Sequence, residues 1–435
     1  MGNEGSSLQP HVGVSKIELE TLQKSFPSHH EKIKKLWKPW TEIFDDQSLE
    51  NIERYLKLKT GDFITFQSYQ QLYGDCIKSG LTGKILFLII LVDGSGTAEK
   101  VTLEKLEQSL QTIIKAFIKS HRHSVFKSKS DDDALTLSRS ILHDLVHGGE
   151  KRKNTFLKEF AEESVDIEKE DIENVFMKNP LIEMIYDSVL EKCFQMKSVN
   201  NSTLIPNIAV DTVTSLSVCE AVFLNTHLPH QLRQVWRPLF NTSTHGESFS
   251  KFAGSITKQG PTLIIVCDEN NRKFGGFATD SWRTSPKFYG KSESFLFHLH
   301  PEMNIYDSTP FNQNYQYFNL KQKTMPNGLG MGGQLEYFGF WIDNEFGVVK
   351  TSPSCSTYHS PQLSQLEGKI KSLEVFGVGE LSDDDLDAGP SVLDLDPEAQ
   401  AVLEMMGKTF HSKVIREVDE DQEKKKSLEA KNIDS

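Results

Sequence analysis

The sequence predicts an α+β protein: a helical, EF-hand-like N-terminal half followed by a two-sheet β-sandwich with peripheral helices. Two observations carry this. From about Val14 to Cys193 the apolar residues recur at helical spacing. Beyond Asn207 they gather instead into short runs separated by turn residues, the pattern of stacked antiparallel strands. With 435 residues the chain can hold two or three domains.

The first half opens with Ile17, Leu22 and Phe26, then periodic runs over 48–58, 65–77, 81–91, 103–118, 134–146, 155–160 and 167–196. Two of its units resemble EF-hands. In one, Asp93, Ser95, Thr97 and Glu104 fall at loop positions 1, 3, 5 and 12, where calcium takes its oxygen ligands. Ala98 replaces the turn glycine at position 6, and Lys100 puts a positive charge at position 8. The other unit, around 60–68, lacks the terminal acid. The expectation is a structural, metal-free pair, with Asp93, Ser95, Thr97 and Glu104 as weak calcium candidates. His143 and His147 share a helix face, but Asp144 stands where a zinc protease needs Glu and no third ligand is evident. His298 and His300 read as strand alternation.

The polar stretch 200–207 marks a boundary. Helices are predicted over 215–224 and 248–256, and strands end the run 231–240 and cover 262–268, 274–278, 294–299, 304–306, 315–318 and 372–376. Gly328, Gly330 and Gly333 match G-x-G-x-x-G. A turn precedes them and a strand-like run follows, the reverse of a dinucleotide site. In that run Leu335, Tyr337, Gly339 and Trp341 alternate with Phe338, Phe340 and Ile342, so an interior strand with two apolar faces is expected. Beyond Gly379 the chain turns acidic. A short helix is predicted from Pro397 to Gly407, where Val402, Leu403 and Met406 form an apolar face suited to a partner or to the protein itself.

Net charge is −13, which argues against a general nucleic-acid binder. Five scattered cysteines without a C-x-x-C pair suit a reducing compartment; Cys355, in a Ser/Pro-rich loop, is the more reactive candidate. No apolar run is long enough to span a bilayer and no secretory signal opens the chain. Met1-Gly2-Asn3-Glu4-Gly5-Ser6 fits the N-myristoylation pattern with Gly2 as acceptor. One acyl chain holds a membrane only marginally, so a second signal is needed; Lys24, Lys32, Lys34, Lys35 and Lys38 offer one, a protein partner another.

Several pieces together resemble the TLDc-domain family: Trp236-Arg-Pro-Leu-Phe240, His245-Gly246, Phe274-Gly-Gly-Phe277, Ser294-Phe-Leu-Phe297, Gly330-Met-Gly-Gly333, Phe338-Gly-Phe-Trp341 and Leu373-Glu-Val-Phe376. The last usually ends in Trp. The resemblance covers about 204–379. It divides the chain into a myristoylatable start at 1–13, an EF-hand-like region at 14–199, the TLDc domain at 204–379 and an acidic linker with C-terminal helix at 380–435. It implies a non-enzymatic protein that binds peripheral subunits of the V-ATPase. One branch, with a similar start and helical half, is tied to MTOR signalling and its complex components at the cytoplasmic face of the lysosomal membrane. No cofactor is implied beyond an N-terminal myristate. Two other readings stay open: an oxidative-stress protective protein with weak catalysis, although no G-x-S-x-G elbow or complete metal set is present, and a calcium-switched adaptor.

Overall fold

The computed structural model describes residues 14–26, 38–60, 64–94, 100–127, 130–147, 166–196, 204–352, 354–359 and 366–381. The architecture is α+β, helices first and a large antiparallel sheet after. Almost all of the described residues fall in one compact unit, up to 257 and again from 261 to 380.

In the first half, helices Lys16–Ser25, Lys38–Ile43, Asp46–Thr60 and Phe66–Tyr73 lead to a central helix, Gly80–Asp93. Ile85, Phe87, Leu88, Ile89, Ile90 and Leu91 are all buried, so this helix is apolar on every side and other helices pack around it. Helix Leu103–Ser120 starts at a Thr102 cap, the Lys105 N–H donating to Thr102 Oγ1 at 3.3 Å. It buries Leu106, Leu110, Ile113, Ile114 and Phe117, one stripe at helical spacing. Helix Ser130–His147 follows. The single run expected over 167–196 is two helices, Lys169–Lys178 and Pro180–Cys193. The break falls at Asn179 because Pro180 supplies no N–H to continue the first helix but suits the first turn of the next. The run 155–160 lies outside the described residues.

Two three-residue strands were not legible in the sequence: β1 (Lys100–Thr102) and β2 (Asp166–Glu168). They pair antiparallel, Val101 opposite Ile167. The unit that begins at Asp93 is therefore laterally paired with the stretch before Lys169.

The second half adds helices Val218–His227, Thr242–His245 and Phe249–Ile256 to strands β3 (Trp236–Asn241), β4 (Thr262–Asp268), β5 (Lys273–Ala278), β6 (Ser285–Tyr289), β7 (Phe295–His300), β8 (Asn304–Tyr306), β9 (Gln316–Asn319), β10 (Gly328–Gln334), β11 (Tyr337–Asp343), β12 (Val348–Thr351) and β13 (Leu366–Val378). The expected two layers face one another. One runs β8-β7-β5-β4-β13-β3 and the other β6-β9-β10-β11-β12. They are nevertheless one ladder, because β13 pairs with β12 over 366–369 and with β4 over 370–377, with a bulge between Ile370 and Ser372. Rings of Phe274 and Phe340 meet across the layers at 6.2 Å.

The glycine run is itself a strand. β10 and β11 form a hairpin turning at Leu335 and Glu336, and both Leu335 (36% exposed) and Tyr337 (66%) stand outside it. Phe340 and Ile342 enter the core as expected, but Phe338 stacks on Trp341, ring centroids 4.3 Å apart. Phe338 and Trp341 thus share a face with Tyr317, apart from the core that takes Phe340 and Ile342. Gly330 opposite leaves the room: a Cβ there would lie 2.5 Å from Phe338.

The two halves share apolar interior. β4 alternates perfectly, Ile264 and Val266 facing the other layer while Leu263 and Ile265 join the helical core with Phe277, Phe295 and Phe297. Trp236, 1% exposed, sits at the junction. Its ring meets Phe126 of the first half at 5.9 Å and Phe376 of β13 at 5.6 Å, and its Nε1 donates to Asn225 Oδ1 at 3.1 Å.

Candidate functional site

The EF-hand-like lobe is the described region that holds sequence-predicted site residues. Helix Gly80–Asp93 ends at Gly94, whose φ of +67° lets its N–H return to Ile90 O at 3.0 Å. A Cβ at Gly94 would also crowd Asn51 O at 3.1 Å. The last carbonyls of the helix are met by its neighbour: Asn51 Nδ2 donates to Leu91 O (3.0 Å) and Val92 O (2.7 Å), and Arg54 Nη1 to Asp93 O (3.2 Å). The end of the entering helix is thus fixed by protein groups.

Asp93, at loop position 1, faces a cation of its own chain, with Lys105 Nζ 3.5 Å from Oδ2. Glu104, at position 12, lies exposed in the first turn of the leaving helix, its Oε1 accepting from Gln108 at 3.5 Å. Ser95 and Thr97 lie outside the described residues, as do Gly2, Val402, Leu403 and Met406. Among the described residues, no group of three or more His, Cys, Asp or Glu side chains is placed to hold a metal ion. His143 is described, whereas the side chains of Asp144 and His147 are not.

Beneath the β1–β2 ladder is an apolar cavity of about 100 Å³, lined by Ile85, Ile89, Val101, Ile167 and Ile172 and rimmed by Thr82. Thr82 donates to Glu173 at 3.2 Å. Nearby, Lys84 is buried between Glu183 (2.6 Å) and Asp187 (2.8 Å), with its Nζ 5.7 Å from the Tyr186 ring. Burial pushes the Asp187 carboxyl up, and Lys84 opposes that shift. Apolar packing under the β1–β2 ladder and the ion pairs of Lys84 thus hold the described part of the lobe together.

Buried polar groups in the second half are also structural. Glu220 forms a capping box with Ser217 and takes both oxygens to Lys273 Nζ at 2.9 and 2.8 Å; burial pushes its carboxyl up and Lys273 opposes. Glu374 on β13 accepts from Thr214 Oγ1 at 2.7 Å and the Ser215 N–H at 2.8 Å, tying the entry of the domain to its last strand. Cys355 is buried, contrary to the reactive-thiol expectation: the loop folds inward so that its Sγ packs against Gly332 and Gly339. Cys267 is the only partly accessible thiol among the described cysteines, and burial raises its pKa, which disfavours the thiolate. His298, with its pKa lowered to about 4 by burial and by Arg272, packs beside Phe274 and Tyr306.

The sequence missed the exposed β6 edge, which carries Arg283, Lys287 and Lys291 on the strand and its flanks, while the loop with Lys321 and Lys323 leaves the end of its partner β9. The signal was there: Arg283, Lys287 and Lys291 recur every four residues in a stretch with little acid. Its neighbours across β9 could not be known without the fold.

Residues 215–379 match the TLDc domain. The chain is 45% identical over 240 residues to the MTOR-associated protein MEAK7 of Xenopus laevis, covering 54% of this chain and 50% of that protein. To the Mus musculus protein of the same name it is 34% identical over 379 residues, 83% of this chain and 81% of that one. It is also 28% identical over 166 residues to Homo sapiens nuclear receptor coactivator 7, 36% of this chain and 17% of that protein. The match thus spans about half the length of the frog relative but most of the mouse one.

Proposed function

The chain belongs to the TLDc-domain family, in the group of the relatives named MTOR-associated protein MEAK7, and from that premise we propose that it is a non-enzymatic regulatory or scaffold protein of MTOR signalling. In this reading it sits on the cytoplasmic face of the lysosomal membrane, held by an N-terminal myristate at Gly2, and contacts peripheral subunits of the V-ATPase. The observation that carries the reading is the extent of the mouse match. It takes in 83% of this chain, far more than the TLDc domain alone, so the helical half travels with the domain. The continuous interior between the two halves gives a physical reason for that. The Gly2 pattern supports a lipid anchor, and a partner or basic surface supplies the second attachment such an anchor needs. Val402, Leu403 and Met406 remain the proposed apolar contact for a partner.

The test is affinity purification from lysosomal membranes with wild type and Gly2→Ala. The expected result is V-ATPase and MTOR-complex subunits with wild type and a fall in the membrane-bound fraction with Gly2→Ala. Absence of both sets of subunits, together with turnover of peroxide or ester substrates, would replace the scaffold reading with the enzymatic one.

A further inference from the structure

The β6 edge combines three features that no element of the fold requires. The first is charge. Lys287, Lys321 and Lys323 are exposed and have no carboxylate within ion-pair distance among the described residues. Ser285 pairs with Phe318 and Tyr289 with Gln316, with Lys287 in the irregular stretch between, and the Lys321–Lys323 loop leaves the end of β9 on the Ser285 side. Arg283 and Lys291 flank Asp280 at 3.9 and 3.7 Å and remain 54% and 69% exposed. The Arg283 guanidinium lies 4.2 Å over the Tyr289 ring, which holds its charge at the surface. Five cations gather in this way on a chain of net charge −13, beside Asp280 and Glu293.

The second feature is a pair of exposed aromatic tips at the Lys291 end. Ser308 Oγ donates to Ser292 O at 2.6 Å, which brings the following loop, and Phe311 at 81% exposure, alongside. Asn314 Nδ2 donates to Gly333 O at 2.7 Å and ties that loop to the hairpin bearing Tyr337, 66% exposed, with Glu336 between Leu335 and Tyr337.

The third feature is a blunted edge. Pro286 has no N–H, and Ser285 Oγ takes up both backbone groups of Lys287, donating to its carbonyl at 2.8 Å and accepting from its N–H at 3.1 Å. An extended acidic peptide therefore finds no free backbone at Pro286 and Lys287 on which to add a strand. What is left is a surface that recognises negative charge without shape, with apolar tips beside it.

We propose that this edge docks on an anionic phospholipid membrane, with Arg283, Lys287, Lys291, Lys321 and Lys323 over the headgroups and Phe311 and Tyr337 entering the interface. The inference deepens the membrane reading above and is tested without the N-terminal lipid, so that either can fail alone. Full-length unacylated protein is sedimented with phosphatidylcholine vesicles, with and without about 30% phosphatidylserine. Wild type binds only the anionic vesicles, and less as salt rises. Lys287→Glu/Lys321→Glu/Lys323→Glu lowers the partition by about a hundredfold or more, since each of the three surface cations is worth roughly fivefold. Phe311→Ser/Tyr337→Ser lowers it by a few fold with the salt dependence kept. The charge-matched control Lys16→Glu/Lys127→Glu/Lys178→Glu, all exposed and remote in sequence, stays near wild type. All variants keep the wild-type melting temperature, which shows that they fold. No binding by wild type, or an equal loss in the control, overturns the proposal. So does capture of poly-glutamate by wild type without vesicle binding, which would assign the surface to an acidic protein.

Discussion

The helical half and the sandwich are held together in opposite ways. In the first, most contacts are made by stripes on neighbouring helices, and the packing is fastened at points: Lys84 between two carboxylates, Asn51 on the end of the central helix. In the second, one strand carries the layout. β13 pairs with β12, β4 and β3, so the last strand of the domain joins both layers and meets the first strand, and Glu374 on it also fastens the domain's entry. The helical half can lose a point fastening and keep its topology. The sandwich cannot lose β13. The boundary between them is not a linker joining two surfaces but a common interior, with Trp236 and Leu263 on one side and Phe126 on the other.

The largest effect is expected at that junction. Trp236→Ala removes a ring that touches both halves and the Nε1 bond to Asn225 Oδ1, at a cost of about 3–5 kcal/mol. If the interior is common, far-UV circular dichroism and tryptophan fluorescence should report one transition moved to lower temperature. Two separate transitions, with only the later one displaced, would show that the halves unfold independently and break the comparison.

A smaller effect belongs to a point fastening. Lys84→Met leaves Asp187 and Glu183 without their cation; because both carboxylates are partly exposed, the loss should be about 1–3 kcal/mol. The pH dependence has a definite sign. Burial already raises Asp187, and removing Lys84 raises it further, so the folded state holds a proton more tightly than the unfolded chain. Stability is then fully present below the ordinary Asp value of about 3.9 and falls as pH rises through the folded value. The deficit of the variant should therefore shrink in acid. A deficit that is constant from pH 3 to about 7 would mean that packing, not charge, accounts for the loss.

Glu18 gives the reverse sign. Burial pushes its carboxyl up, but bonds from Lys78, Tyr73 and Ser15 outweigh this and hold it at about 2. Its contribution is present above the unfolded value of about 4.5 and disappears as pH falls toward the folded one. Glu18→Gln should cost about 0.5–1 kcal/mol near neutrality, discounted for exposure, and nothing in strong acid. Hydrogen exchange should place the loss in helix Lys16–Ser25 and leave the sandwich untouched. Spread into β13 would contradict the view that the helical half is fastened locally.

How much could be read in advance follows the same division. Helix spacing is local, so 103–118 and 81–91 were legible almost to the residue, and so was β4, seven apolar-rich residues between turns. What was hidden is pairing between distant segments. Val101 and Ile167 lie too far apart in the chain, and in strands too short, for any pattern to link them. The split at Asn179 was available in Pro180. The glycine strand β10 was hidden for another reason: glycine has poor strand propensity, and it is tolerated there because Phe338 and Trp341 fill the space above it. Of the candidate site residues, Asp93 and Glu104 stand at the loop positions read from sequence; the cation beside Asp93 comes from Lys105, one residue beyond that loop.

The smallest effect is expected from calcium. A ligand that binds only the folded chain raises its stability by RT ln(1 + [L]/Kd), so a micromolar site at millimolar calcium would add about 4 kcal/mol and move the melting temperature by several degrees. The described geometry opposes such a site. Asp93 is paired with Lys105, Glu104 lies exposed where it meets Gln108, and the helix end is already fixed by Asn51 and Arg54. Lys100 adds a further positive charge to the loop sequence. Millimolar calcium should leave the melting temperature where it is, and Glu104→Ala should change neither that temperature nor its response. Lys105→Gln sharpens the test, because it removes the competing cation and leaves every oxygen ligand in place. A calcium-dependent rise in that variant alone would show that Lys105 is what keeps the loop empty. A rise in wild type, abolished by Glu104→Ala, would show instead that the helical half carries a working calcium switch, and the adaptor reading would replace the view of a lobe closed by its own side chains.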